Sequence, residues 1–238
     1  LDAVSKSEGA VKYIADYGFE DCLWGRLVRS SIPRGIIKDI KLPEMPDGYR
    51  FITYRDIPEG GHNYLHMIAT DWKCFAENDV RYVGETIGII VGPDRTIVED
   101  LREKIVIEYE EQEPAVSIDD GLACKGGHNI AVFVKACPEN SLGRVSLDGA
   151  CCMPDGDGYK IYASAQCPFY IRKSIAPLLN IDPSKISVQQ TTTGGAFGGK
   201  EHFPDVVCGP LLLAAYVMKK GVKMIFDREE DIENSVKR

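Results

Sequence analysis

The sequence predicts an α/β fold of the α+β kind, built as two modules joined by a linker. Three observations carry that expectation. Runs of alternating and β-branched residues recur through 20–113 with turn residues between them. Residues 159–238 read as strand, helix, strand, glycine-rich loop, helix and strand. Residues 121–158 are rich in Gly, Pro, Asn and Asp, the composition of turns and connections. The expected division is an α/β domain over 1–114, a linker with short strands over 115–158, and the first part of a second α/β domain over 159–238.

In the first module the strand candidates are 26–30, 35–42, 49–54 and 80–91, and Gly92-Pro93-Asp94 stops the last of them. Ile97, Val98, Leu101 and Ile105 then recur at helical spacing across 96–104, with acidic residues outside. Residues 106–110 alternate again and predict a strand. Within the linker, Asp155-Gly156-Asp157-Gly158 reads as a turn between two strands. Its Asp-x-Asp-Gly order could open a calcium loop, but no ligand-bearing continuation follows, so the turn reading is preferred. In the second module 159–165 predicts a strand, and Pro168 stands where a helix favours its first residue. That helix runs to 179, with Pro177 opposing its last turn. A strand over 185–191, an apolar helix over 206–218, a strand over 222–226 and a helix opening at Asp227 complete the series.

Composition excludes several functions. Lys and Arg total 28 against 36 for Asp and Glu, a formal net charge of -8. Broad nucleic-acid binding needs a basic face, and this balance opposes it. No apolar run approaches the length of about 18 residues that a membrane span requires. The longest, 211–218, runs into Lys219 and Lys220. The Leu1-Asp2-Ala3 start reads as internal or processed, without a signal peptide. The eight cysteines (Cys22, Cys74, Cys124, Cys137, Cys151, Cys152, Cys167 and Cys208) form no CxxC pair. Zinc or iron–sulfur ligation is therefore not expected within this chain, and buried thiols in a reducing cytoplasm are. His62 and His66 follow Gly60-Gly61 with no carboxylate in a zinc-protease pattern, and His128 and His202 add no ligand set.

The most informative string is Gly194-Gly195-Ala196-Phe197-Gly198-Gly199-Lys200-Glu201. Clustered glycines carry an entropic cost, and they occur where backbone must approach something closely or adopt positive φ. One reading is a tight structural loop between strand and helix. A second is a phosphate loop, since 194–200 fits G-x-x-x-x-G-K. Glu201, however, stands where a Ser or Thr should hold magnesium, and a carboxylate there repels phosphate.

A third reading comes from resemblance. The 193–201 string, then Ala214-Ala215-Tyr216, then Asp227-Arg228-Glu229-Glu230-Asp231, resembles the molybdopterin-binding region of the xanthine dehydrogenase and aldehyde oxidase family of molybdenum hydroxylases. Ala163-Ser164-Ala165-Gln166-Cys167-Pro168-Phe169 resembles that family's Ser-Thr-Gln segment, and Gln166 precedes Phe197 by 31 residues. Residues 27–30 with Pro33, 78–87 and 106–114 resemble its N-terminal α/β hammerhead domain. Within the family, the chain is most similar in style to bacterial purine and heterocycle hydroxylases, selenium-dependent ones among them.

The resemblance implies a hammerhead-type α/β domain followed by a partial α/β molybdopterin-binding domain, with a molybdenum–molybdopterin cofactor. The reaction implied is oxidation of a purine-like heterocycle or aldehyde with water-derived oxygen. Gln166 would donate from its amide to the metal's oxo group or the pterin, with Phe197 and Gly198 against the metal's apical face. Glu201 would hydrogen-bond a heterocyclic substrate; the bland reading is a helix N-terminal acid favoured by the helix dipole. Lys200 is expected to be structural. The family's general base would lie beyond Arg238, so no catalytic residue is expected here and the chain alone should not turn over. The family's Gln-x-His stretch has no counterpart in 121–158, where Val145-Ser146-Leu147-Asp148-Gly149-Ala150 is the nearest text. Implied partners are the remainder of the molybdopterin subunit, plus iron–sulfur and flavin subunits carrying their own cofactors. The alternative is a non-catalytic remnant or structural subunit that has lost cofactor binding.

Overall fold

The computed structural model describes residues 3–114, 147–196 and 198–235. Helix α1 (Ala3–Ser7) precedes β1 (Leu23–Arg29), β2 (Gly35–Lys41) and β3 (Arg50–Ile52). The short strands β4 (Tyr64–Leu65), β5 (Trp72–Lys73) and β6 (Asp79–Val80) lead to β7 (Thr86–Gly92), α2 (Arg95–Lys104) and β8 (Val106–Glu111). The second part holds β9 (Gly149–Asp155), β10 (Gly158–Ala163), α3 (Pro168–Ile175) and β11 (Ile186–Gln190). It ends with α4 (Phe203–Met218), β12 (Val222–Ile225) and α5 (Arg228–Asn234).

The Thr-Ile-Gly-Ile-Ile-Val-Gly text of β7 is buried along its whole length. Such a strand must be covered on both faces. It lies between β1 and β3 in a seven-stranded sheet of order β11-β10-β9-β12-β1-β7-β3. β10 pairs with β11 in parallel, as β12 does with β1; the other neighbours are antiparallel. Helix α3 makes the crossover between parallel β10 and β11. A smaller antiparallel sheet, β6-β2-β8, and the β4-β5 pair complete the strands among the described residues. α4 is buried on nearly every side and packs over β9. Asp94 starts α2 by accepting from the Ile97 N–H, and Asp227 starts α5 by accepting from the Glu230 N–H at 2.7 Å.

Several expectations shift. The interval expected as a linker over 115–158 contains β9, which sits between β10 and β12 inside the large sheet. Its Gly149, Ala150, Cys151 and Cys152 are fully buried. Small side chains let α4 approach the sheet closely, and they also make the segment look turn-like in composition. Residues 115–146 of that interval lie outside the described residues. The 80–91 strand is two strands in different sheets, separated at Gly84, whose φ of +91° suits glycine. The helix over 168–179 is α-helical to Ile175, and 176–179 continue as a 3-10 turn with Pro177 near its start.

The principal core combines Leu27, Ile89 and Val91 of the first module with Cys152, Leu211 and Val222 of the second. Two smaller clusters, around Val98 and around Val80, lie wholly within the first. No described helix is long and apolar enough to cross a membrane.

Candidate functional site

β10 and β11 run parallel, so their carboxyl ends open side by side, where open α/β sheets place ligands. Beyond β10, Ser164 and Ala165 are buried while Gln166 is exposed. Beyond β11, the Thr191 N–H donates to the Ala163 carbonyl at 2.9 Å and carries the pairing one step further. Between the two loops lies an open cavity of about 410 Å³ lined by Gln166, Thr191, Thr193, Gly194, Gly195 and Ala196, with Lys6 of α1 at its side.

The glycine loop is folded tightly. Gly194 has φ +68° and Gly198 φ +78°, a conformation that side chains resist. The Gly195 N–H donates to the Thr193 carbonyl and the Gly199 N–H to that of Ala196, each at 2.8 Å. The Gln190 amide reaches Thr193 Oγ1 at 3.2 Å. Beneath the loop Lys200 is 0% exposed. Its Nζ donates to Ser164 Oγ at 2.8 Å and to the Thr193 carbonyl at 3.1 Å, and stands 3.8 Å from Asp148 Oδ1. Its own carbonyl accepts from the Gln166 N–H at 2.7 Å.

The structure thus brings Gln166 against Gly194, Gly195 and Ala196. Gly198 and Glu201 are half-buried and do not line that cavity, and Phe197 lies outside the described residues. Glu201 instead stands near the foot of α4 on the side of Cys167. Burial first, then the charges of Glu201 and Asp205, hold the Cys167 thiol above its ordinary value. Close by, His202 stacks on Tyr170 with ring centroids 5.1 Å apart. Asp205 is fully buried in the first turn of α4. Burial pushes its carboxyl up to about 7, partly offset by the Ser174 hydroxyl. The Asp227–Asp231 run serves the scaffold. Buried Glu230 meets Arg26 at 3.2 Å and Arg29 at 3.6 Å, while Arg26 also meets Glu99 at 2.7 Å.

Sequence reasoning passed over Thr191 and Asp205 and left Lys200 without partners. Asp205 carried a signal, a carboxylate near the start of an otherwise apolar helix. Thr191 carried none.

The donors at the cavity suit an anionic ligand with hydrogen-bonding edges. They comprise the Gln166 amide, the threonines 191–193, loop backbone that left-handed Gly194 lets come close, and one lysine. Among the described residues no carboxylate lines the cavity. Beside it, Thr191 Oγ1 is buried without a hydrogen-bond partner among the described residues, an orphan polar atom of the kind that marks a site awaiting a partner.

Two family models match the chain. The aldehyde oxidase and xanthine dehydrogenase a/b hammerhead domain matches 8–113, and the molybdopterin cofactor-binding domain matches 146–238. The nicotinate dehydrogenase large molybdopterin subunit of Eubacterium barkeri is 32% identical over the whole chain, which covers 62% of that relative. A subunit of the probable xanthine dehydrogenase of Bacillus subtilis is 27% identical over the whole chain, which covers 35% of it. Quinoline 2-oxidoreductase from Pseudomonas putida 86 shares the fold, with a TM-score of 0.78 and 21% identity over 97% of this chain and 34% of that one. The aldehyde oxidoreductase of Desulfovibrio gigas does so with a TM-score of 0.77 and 18% identity, over 100% of this chain and 30% of that one. The chain spans less than two thirds of each of these proteins.

Proposed function

Because the chain belongs to the molybdenum hydroxylase family of the xanthine dehydrogenase and aldehyde oxidase type, we propose that it contributes the hammerhead domain and the first part of the cofactor-binding domain to a hydroxylase large subunit. That enzyme oxidises a purine-like heterocycle or an aldehyde with water-derived oxygen. The observation that carries this reading is the cavity at the carboxyl ends of β10 and β11, where Gln166 faces the glycine loop. Similarity to a subunit named for nicotinate, a nitrogen heterocycle, favours the heterocycle over the aldehyde.

When bound, the molybdenum–molybdopterin group supplies the two-electron oxidation of the substrate carbon. The residues of this chain bind and orient. Gln166 presents an amide donor toward the group. Gly194 would let the loop backbone come close to it, and the family resemblance assigns Phe197 and Gly198, further along the same loop, to the same group. Glu201, outside the lining of that cavity, would accept a hydrogen bond from a ring N–H of the substrate. The general base belongs to the remainder of the subunit, so this chain by itself does not turn over. Iron–sulfur and flavin centres on partner domains or subunits take the electrons away.

The test uses the full large subunit with its partners. Elemental analysis and pterin fluorescence should show stoichiometric cofactor, and nicotinate or a purine should be hydroxylated. Gln166→Ala should lower cofactor content or turnover, while melting stays near wild type because the side chain is exposed. An intact, folded subunit with neither molybdenum nor pterin would establish the non-catalytic remnant instead.

A further inference from the structure

A fully buried lysine is costly unless its charge is paired and its donors are used. Among the described residues, Lys200 finds partners in three separate places. Asp148 immediately precedes β9, Ser164 follows β10, and Thr193 belongs to the loop after β11. The Lys200 carbonyl, at the foot of the same loop, also receives the backbone N–H of Gln166. One residue therefore ties the two loops that face each other across the cavity, from both its side chain and its backbone. Asp148 is held in turn, its N–H donating to Asp231 Oδ1 at 3.4 Å, so the tie reaches the start of α5.

We propose that Lys200 is a positioning residue, whose ammonium and carbonyl together fix the separation of Gln166 from the glycine loop. This rests on the functional reading above for what the gap receives, but not for the tie itself. Core packing alone would be satisfied by any apolar side chain of similar length. Three polar partners on three segments are instead what holding a gap requires. Ser164 and the Thr193 carbonyl are both neutral acceptors, so the ammonium draws the loops together without placing a carboxylate on the cavity wall. The counter-charge sits behind, on Asp148, 3.8 Å away and outside the cavity lining.

Lys200→Met alone would take the ammonium away from the buried Asp148 carboxylate and could unfold the protein. The decisive variant is therefore Lys200→Met with Asp148→Asn, which removes both charges and keeps both shapes. Its melting should return close to wild type. Hydrogen–deuterium exchange of the cofactor-free chain should then quicken about tenfold or more in peptides spanning 164–168 and 192–201, while β7 and α4 keep their protection. In the complete enzyme the same variant should lose roughly 10–100-fold in kcat with KM little changed, the signature of misplacement rather than lost binding. Ser164→Ala, which leaves the charge pair intact, should quicken the same two peptides to a smaller degree, and it decides the matter if the double variant does not fold. Wild-type exchange at 164–168 and 192–201 in whichever variant folds would overturn the proposal. Absence of molybdopterin from the wild-type enzyme would overturn the functional reading instead, and the exchange experiment would still test the tie.

Discussion

Asp205 offers a pH test that reads the packing around α4 directly. Its carboxyl is fully buried, and among the described residues no cation offsets that burial. Burial raises it to about 7, with the Ser174 hydroxyl pulling weakly the other way. In the unfolded chain an aspartate titrates near about 3.9. Below that pH the group is protonated in both states and adds nothing to the pH dependence. As pH rises toward 7, the unfolded chain releases its proton and the native state keeps it, so stability falls by about 1.4 kcal/mol per pH unit. Above 7 the native group ionises too and the penalty levels off, at up to about 4 kcal/mol.

Asp205→Asn removes the titration while keeping the shape. Relative to wild type it should therefore gain about 2–3 kcal/mol between pH 5 and pH 8, whatever its starting difference. With a urea dependence of about 1–3 kcal/mol per molar, the gap between the two midpoints should widen by roughly 1–3 M. Urea titrations of both proteins at the two pH values, followed by circular dichroism, measure it. Buried Glu85 and Glu230, whose carboxyls burial also raises, are common to both proteins and cancel. A constant gap would refute the reasoning, because it would mean that Asp205 is already ionised in the native state at pH 5.

On the proposed substrate role of Glu201, Glu201→Gln in the complete enzyme should remove a charge-assisted hydrogen bond worth about 1.5–3 kcal/mol, so kcat/KM on a purine-like substrate should fall roughly tenfold to hundredfold. A simple aldehyde, with no ring N–H, should be affected less; steady-state kinetics at matched molybdenum content showing equal losses would assign Glu201 to the helix end. Gly198→Ala places a side chain at φ +78° and should cost about 1–2 kcal/mol, seen as a lower melting temperature by calorimetry. Half-buried Cys22 lies 3.7 Å from the Cys151 sulfur. The hydrogen bond from Cys151, aided by Lys223, brings its thiol down to about 7. Iodoacetamide at pH 8 should label it first among the six described cysteines and slow as pH falls through about 7. Cys151→Ala should move that fall to higher pH, and peptide mapping that finds Cys167 labelled first would count against it.

Much of the fold was legible locally. Periodicity placed β2, α2, β8, β10, β11, α4 and β12, because each carries the spacing of its own element. The glycine loop stood out as a candidate, since clustered glycines occur where backbone must approach something closely or adopt positive φ, and its resemblance to the molybdopterin-binding region agrees with the domain match. Other features were not legible. β9 is made of small residues because α4 lies over it, and nothing nearby in sequence announces that helix. The 80–91 run looked continuous because β6 and β7, in different sheets, follow one another across a short turn at Gly84.

The sequence by itself determined the family and the residue types at the site, because those reside in short strings whose chemistry is local. It also determined that Gln166 and the glycine loop follow successive strands of one α/β unit. Tertiary structure decided what those residues face. Gln166 meets Gly194 to Ala196 only because β10 and β11 are parallel neighbours, so that both loops leave the same edge of the sheet. Glu201 does not line that cavity, and Lys200 lies beneath the loop, with partners 36 residues away at Ser164 and further still at Asp148. Burial is a sum over segments distant in the chain. A lysine in a glycine-rich string therefore shows no partners until the sheet closes over it.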